Sequence, residues 1–306
     1  MNFKKIIGIS IFSIFVVFLN KGFSEARNAT DQLGREIKIP DNPKRVISLA
    51  PNITEIIFAL HQEHRLKGVT TYSDFPAQAK KYPKVGSYVH LDLEKIVSLK
   101  PDLCIAIKDG NPISVIRRLY SLNIPVYAVD PRNLEAIIGT VHEIGMLLNA
   151  DVQAKTLTQD MRSRINDVIA RISKTKYKPG VFFQIGISPI VSVGTNTFIH
   201  ELIIMSGGRN LAQGKTPYPR FSKEQILSLS PDVFIISSMT KTNSIDDLKA
   251  QWSKYPQIPA IKNNRIYHVD SNIFDRPTPR LVDALELLAK LIHPEVFDKN
   301  NYKAGK

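Results

Sequence analysis

The chain has 306 residues, 43% hydrophobic and 23% charged, with a formal net charge of +13. That composition excludes a disordered chain, and the length allows two domains. One cysteine excludes an internal disulfide, and scattered lysines argue against a nucleic-acid partner and for bulk charge drawn to anionic membrane surfaces.

Lys4 and Lys5 precede an apolar run from Ile6 to Leu19. The run falls short of the roughly 20 apolar residues that a membrane span needs, and it fits the core of a secretory signal peptide. Small residues follow it. Residues 1–24 therefore read as a leader, with cleavage after Ser24 or after Ala26. No cysteine follows the run, so a lipid anchor is not indicated. Cys104 lies in an apolar strand-like run and reads as a small buried hydrophobe.

Strand-like and amphipathic stretches then alternate. "RVISLA" (45–50) leads into a helix start at "PNITEIIFAL", and "LKGVTT" (66–71) into the loop "YSDFPAQAKKYPKVGSY". "DLCIAI" (102–107) precedes the helix "ISVIRRLYSL", and "PVYAVD" (125–130) precedes "NLEAIIGTVHEIGMLLN". Short β-branched runs feeding helices predict a parallel α/β sheet, here a first lobe over 45–150. From Asp151 to about Lys174 the strand signal stops. Val152, Leu157, Met161, Ile165, Val168, Ile169 and Ile172 recur at spacings near three or four, which predicts one long amphipathic helix over 151–174. Strands return at "VFFQIG" (181–186), "DVFIIS" (232–237) and "RIYHVD" (265–270). Helices are predicted at "TFIHELIIMSGG", closed by Gly207, and at "PRLVDALELLAKLI" (279–292). The expected fold is thus α/β, two parallel-sheet lobes joined by one long connecting helix. The second lobe covers 175–295, and 296–306 form a tail.

One passage occurs twice. "LEKIVSLKPDLCIA" begins at Leu93 and "KEQILSLSPDVFII" at Lys223, which sets Glu94 opposite Glu224 at a constant offset. Seven of thirteen aligned positions from that glutamate onward are identical, which points to duplicated architecture. Each copy reads as a short helix, a Pro-Asp turn and a buried strand. Ser222 with Gln225 has the spacing of a capping box, and Asp92 can cap the first copy.

Catalytic signatures are absent. "GGRNLAQGKT" has five residues between Gly208 and Gly214 where a phosphate loop has four, and it follows a helix. No Gly-x-Ser-x-Gly elbow occurs. His61 and His64 are three apart, but the other histidines show no paired spacing, so they read as surface residues and no metal site is expected. The chain is not expected to be an enzyme.

The pattern that does point to a site is aromatic. Ligands of open parallel sheets bind outside the carboxyl ends of the strands. Pro51 follows the first strand, Tyr72, Ser73 and Asp74 the second, and Tyr88 lies in the next loop. Ile107 to Asn111 follow the strand of the first repeat. In the second lobe Gln184 to Ser188, Tyr218 and the stretch "SNIFDRPTPR" hold equivalent places. Facing lobes would gather these loops into a cleft suited to a large, mostly apolar ligand with a polar periphery.

"RVISLAPNITEIIFAL", "TYSDFP", "VGSY", "LEKIVSLKPDLCIA", "FQIGISP", "SGGRNL", "PYPRFSKEQILSLSPD" and "PTPRLVDALELLAKLIHPEVF" together resemble the periplasmic cobalamin-binding proteins of ABC importers, within the class that binds cobalamin, haem and siderophores. The resemblance covers nearly all of the chain beyond the leader. It implies a monomeric periplasmic protein that carries cobalamin as a transported ligand, with no cofactor of its own, to an inner-membrane permease and its ATPase. Ligand contacts carried over from the family fall on Pro51, Tyr72, Tyr88, Tyr218, Asn272 and Phe274. Tyr88, Tyr218, Ile107 and Ile273 stand where the family's best-known pattern has tryptophans, and Asn272 stands where it has an aspartate. The resemblance also implies that Glu94 and Glu224, one per lobe, dock into arginine pockets of the permease. An acid in a first helical turn equally stabilises its own helix, by about 0.3–1 kcal/mol. Haem or a ferric siderophore is the alternative ligand, for which Arg276 and Arg280 are the expected anion partners.

Overall fold

The computed structural model describes residues 26–237 and 250–297. The expected leader lies outside them, as does the expected tail except residues 296 and 297, which close a short helix, Pro294–Phe297. The first element, an antiparallel hairpin of β1 (Ala26–Thr30) and β2 (Glu36–Pro40), was not read from the sequence. Asp31 is buried at its turn and accepts the backbone N–H groups of Leu33 and Arg35. Gly34, at φ +76°, supplies the left-handed residue that such a turn needs. Ile37 and Ile39 point inward on alternate positions and join the main core.

The first lobe follows. Its strands are β3 (Val46–Ser48), β4 (Leu66–Val69), β5 (Leu103–Ile107) and β6 (Val126–Val129), all parallel, in the order β4-β3-β5-β6. Its helices are α1 (Pro51–Ala59), α2 (Leu93–Ser98), α3 (Ile113–Ser121) and α4 (Leu134–Leu147). Both sheet faces are covered. Val46, Leu103, Ile105 and Val129 pack with α1 and α4, while Ile47, Cys104, Ala106 and Val126 pack with α2 and α3. That is why these strands are apolar throughout instead of alternating. Cys104 is fully buried, and burial pushes its thiol well above the usual range.

Helix α5 (Asp151–Ile172) connects the lobes. It buries Ala154, Met161, Ile165, Val168 and Ile172, while Val152 and Ile169, counted in the apolar stripe from sequence, are exposed. Its buried stripe is narrower than expected because α5 lies in a groove between α4 and the later helix Leu281–Ile292, and keeps its outer face in water.

The second lobe has β7 (Gly180–Ile187), β8 (Ile190–Ser192), β9 (Arg209–Asn210), β10 (Arg220–Phe221), β11 (Val233–Ser237) and β12 (Ile266–Val269). Its helices include α6 (Phe198–Met205), α7 (Lys223–Leu229), α8 (Pro259–Lys262), α9 (Ser271–Phe274) and α10 (Leu281–Ile292). The parallel part runs β9-β7-β11-β12, the succession β4-β3-β5-β6 over again. The sheet is nonetheless mixed, not wholly parallel as expected. β8 folds back on β7, and β10 pairs antiparallel to β8. Only Ser188 and Pro189 separate β7 from β8, too few residues for a parallel crossover.

The repeated passage occupies the same place in each lobe. It forms α2 and β5 in the first and α7 and β11 in the second. Lys100 and Ser230 end the two helices in the left-handed region, both at φ +49°. The aspartate after each proline then clamps the start of the lobe's first parallel strand. Asp102 accepts the N–H groups of Lys44 and Arg45 at 2.7 and 2.9 Å, and Asp232 accepts that of Gly180 at 2.7 Å. The shared letters thus have a shared mechanical duty, which is to stop a helix and hold the neighbouring strand in register.

Close approach of α4 to α5 depends on Gly145. A Cβ there would lie 2.4 Å from Ala154 Cβ, whereas a Cβ at Gly139 in the same helix meets nothing within 4 Å. Alanine in a helix ordinarily gains up to about 1 kcal/mol over glycine. Gly139→Ala is therefore expected to raise stability by up to about that amount. Gly145→Ala is expected to lower it by about 1–3 kcal/mol through overpacking. Urea denaturation of both variants checks the opposite signs.

Candidate functional site

The carboxyl ends of the parallel strands in the two lobes supply the candidate cleft. Pro51 opens α1, directly after β3, and is half-buried. Beneath it a buried chain of hydroxyls joins the ends of β3 and β4. Thr54 Oγ1 lies 2.8 Å from Ser48 Oγ and 2.9 Å from Ser73 Oγ, which lies 2.9 Å from Thr70 Oγ1. This chain anchors the turn that carries Tyr72, whose side chain is 58% exposed. Tyr88 is 37% exposed in the loop before α2. These residues form the first lobe's rim, with the half-buried Ile107 at the end of β5.

Tyr218 comes from the second lobe and is 56% exposed. Its phenol is nevertheless raised above the usual range, first by desolvation. The charges acting on it are Arg132 and Asp109 of the first lobe and Asp275 of the second. Arg132 is itself held by Asp130 and Asp109, at 2.5 and 2.6 Å, and Lys108 pairs with Asp130 at 2.9 Å.

Asn272 is half-buried on α9, where its amide nitrogen and backbone N–H donate to Asp270 Oδ1. Phe274 does not join the exposed set. Its ring is fully buried against Phe183, with centroids 5.8 Å apart, so it presents no surface to a ligand in this structure. The reason is the period of α9, a single turn, which directs position 274 into the core when 272 lies on the rim. Asp275 lies in the same stretch that the sequence singled out. Ser237 Oγ lies 3.1 and 3.0 Å from its two carboxyl oxygens, and burial pushes the carboxyl up to about 7.

A buried ionic cluster binds lobe to lobe. The Glu55 side chain on α1 is 3% exposed and takes Arg280 through two bonds of 2.8 Å and Arg276 through one of 3.0 Å. Arg276 also meets Asp74 at 3.0 Å, and the Arg280 guanidinium lies 3.7 Å from the centre of the Phe75 ring. At another point of the seam, Leu134 N–H donates to Glu201 Oε2 of the second lobe at 2.7 Å. Arg276 and Arg280, expected from sequence as anion partners of a ligand, are thus occupied by the first lobe's carboxylates. A cavity of about 490 Å³ lies beside this cluster, lined by Glu55, Phe58, Phe75, Tyr82, Pro279 and Arg280 among others. None of the six expected ligand contacts lines it.

Glu94 and Glu224 are both exposed, each in the first turn of its helix. Asp92 caps α2 by accepting Lys95 N–H at 2.9 Å, and Ser222 and Gln225 complete the expected box on α7. Hydrogen bonding to Ser222 holds the Glu224 carboxyl below the usual carboxylate range. Each of these helices turns directly into a parallel strand of its lobe. His61 and His64 fall on the turn after α1, and among the described residues no group of three or more His, Cys, Asp and Glu side chains is placed to hold a metal ion. No described helix is long and apolar enough to cross a membrane.

The cluster's weight can be measured. Glu55→Gln keeps the shape and removes the charge that two poorly solvated guanidiniums share. We expect a loss of about 3–5 kcal/mol, the scale for a buried pair deprived of one partner. Urea denaturation reads it, and a loss under about 1 kcal/mol would place the pair in the surface class.

The chain is 32% identical over 243 residues to the vitamin B12-binding protein of Vibrio parahaemolyticus, covering 79% of this chain and 86% of that one. It is 31% identical over 274 residues to an uncharacterized ABC transporter substrate-binding lipoprotein of Bacillus subtilis, covering 87% and 85%. Among solved structures, the periplasmic vitamin B12 binding protein of Vibrio cholerae matches with a TM-score of 0.74 at 27% identity, over 85% of this chain and all of that one. A periplasmic heme-binding protein of Pseudomonas aeruginosa matches with a TM-score of 0.72 at 28% identity, over 82% and 93%. The family model for periplasmic binding proteins matches residues 46–273, most of both lobes and all of the helix between them. By that match the chain belongs to the periplasmic binding protein family.

Proposed function

We propose that this protein is exported to the periplasm, captures cobalamin between its lobes as a monomer, and delivers it to an inner-membrane permease driven by an ATPase. It performs no chemistry on the ligand. The observation that carries this reading is the character of the cleft wall. Tyr72 and Tyr88 from one lobe and Tyr218 from the other present exposed aromatic surface. Four basic side chains of the loops that follow the strands, Lys108, Arg132, Arg276 and Arg280, are each paired with a carboxylate. Aromatic faces beside cations that are already paired suit a macrocycle whose edge carries neutral carboxamides. The anionic edge of haem or of a ferric siderophore calls instead for an unpaired guanidinium or ammonium. The relatives that bind vitamin B12 support the same choice. Haem remains the second reading, favoured by the heme-binding structural relatives and by tyrosine phenols, which can hold ferric iron.

Residues Pro51, Tyr72, Tyr88, Tyr218 and Asn272 form the proposed contact set. Glu94 and Glu224 are the proposed docking pair. They are exposed, one lies on each lobe, and a carboxylate can accept charge-assisted bonds from arginine.

Calorimetric titration of the mature protein with cyanocobalamin is expected to give saturable heat at one site, with a shift in the cobalamin absorption spectrum. Absence of both, alongside saturable haemin binding, would overturn the corrinoid assignment. For docking, Glu94→Ala combined with Glu224→Ala is expected to leave the dissociation constant within about twofold, since surface substitutions change little, and to abolish uptake by the reconstituted transporter. Weakened binding would instead assign the glutamates to the ligand or to the fold.

A further inference from the structure

Asn111 lies beside the proposed cleft and is only 8% exposed. Its side chain makes three hydrogen bonds, all to backbone and each 2.8 Å long. Nδ2 donates to Leu49 O and to Tyr88 O, and Oδ1 accepts Ile107 N–H. An amide has two donor hydrogens, and both are used on different segments. Those segments are the end of β3 just before Pro51, the end of β5, and the loop that carries Tyr88. Three stretches far apart in sequence therefore meet on one side chain, at the carboxyl edge of the sheet.

The residue before it completes the arrangement. Gly110 has φ +116°, a conformation that L side chains rarely adopt. A Cβ there would lie 2.7 Å from both Cδ2 and Cε2 of Tyr88. The tyrosine ring thus rests directly on the Gly110 backbone, while Asn111 grips the carbonyl of the same tyrosine. On either side of this grip the loop is tied to the lobe by Gly86 O, which accepts Thr71 N–H at 2.8 Å, and by Asp92 N–H, which donates to Val85 O at 3.0 Å.

From this geometry we infer that Asn111, with Gly110, is the positioning residue of the first lobe's ligand wall and sets the place of the Tyr88 ring before the ligand arrives. Asn111 does not itself touch the ligand. It raises affinity by ordering the loop in advance, so that less freedom is lost on binding. The inference rests on the proposed ligand cleft, but not on which macrocycle fills it.

The test is a double-mutant cycle on cyanocobalamin affinity, using the mature protein with Asn111→Ala, Tyr88→Ala and the pair. Tyr88→Ala and Asn111→Ala are each expected to weaken binding about fivefold or more, the scale of ordering one large side chain. The pair is expected to be little worse than Tyr88→Ala alone, because Asn111 acts through Tyr88. Gly110→Ala leaves the Asn111 side chain in place but displaces the ring, and it should reproduce the loss. Asn111→Asp keeps the acceptor for Ile107 N–H and removes both donors, and it should behave like the alanine variant. Without any ligand, Asn111→Ala should speed hydrogen exchange in segment 86–91 by about tenfold or more, as a released loop does. Wild-type affinity in Asn111→Ala, full additivity in the cycle, or unchanged exchange in 86–91 would each overturn the inference. Failure of the wild type to bind cyanocobalamin counts against the proposed function alone. The cycle is then run with haemin, and the exchange measurement stands without either ligand.

Discussion

Glu55 sits inside the seam between the lobes, with two arginines of the other lobe gathered on its carboxylate. A carboxylate removed from water must be met by donors, and here every donor that meets it comes from the far side of the cleft. The lobes therefore face each other at a spacing set by the reach of Arg276 and Arg280. Arg280 adds a cation–aromatic contact with Phe75, and Arg276 adds Asp74, so that the first lobe holds both guanidiniums from two directions. The same pairing occupies both guanidiniums and so leaves neither of them free. One interaction thus bears on both the geometry of the lobes and the charge available between them.

Helix α5 acts at greater length. Its buried stripe belongs to an apolar cluster that runs from the first lobe's sheet, through α5, to α10 in the second. Arg164 of α5 ties this packing to Asp283 and Glu286 of α10, and Arg162 ties it to Glu135 of α4. A hinge of two or three flexible strands would let the lobes swing. A packed helix shared by both cores resists that motion, because any large rotation would open voids in a close-packed interior. The space between the lobes is accordingly shaped by the packing of this helix.

Much of this was legible in the sequence. The strand expected at 181–186, found as Gly180–Ile187, and the helix Asp151–Ile172 follow from local pattern, because a strand buried on both faces is mostly apolar and a half-buried helix must repeat near 3.6 residues. The duplicated Glu94 and Glu224 passages pointed to duplicated lobes, and the clamps of Asp102 and Asp232 give the physical reason. The hairpin of Ala26–Pro40 was missed although its signals were present, namely Asp31 and Gly34 at a turn followed by alternation at Ile37 and Ile39. Its stability is not local. Gln32 bonds Thr140 and Glu143 of α4, and Tyr127 on β6 bonds Thr30 O, so the hairpin depends on a lobe that comes later in the chain.

The sequence by itself determined the class of fold, the connecting helix, the two equivalent junctions and the residues able to form an aromatic rim, because each rests on periodicity or turn chemistry within a few neighbouring residues. Tertiary structure alone decided which of those residues reach the rim. Tyr72, Tyr88 and Tyr218 stay exposed, while Phe274 turns into the core. It alone also decided that Arg276 and Arg280 are spoken for, and that Asn111 joins two strand ends and a loop. Such outcomes depend on contacts between groups up to 225 positions apart, as between Glu55 and Arg280. No local spacing encodes them, because they are fixed only when two independently patterned lobes pack against each other and every buried charge and amide must find its partner.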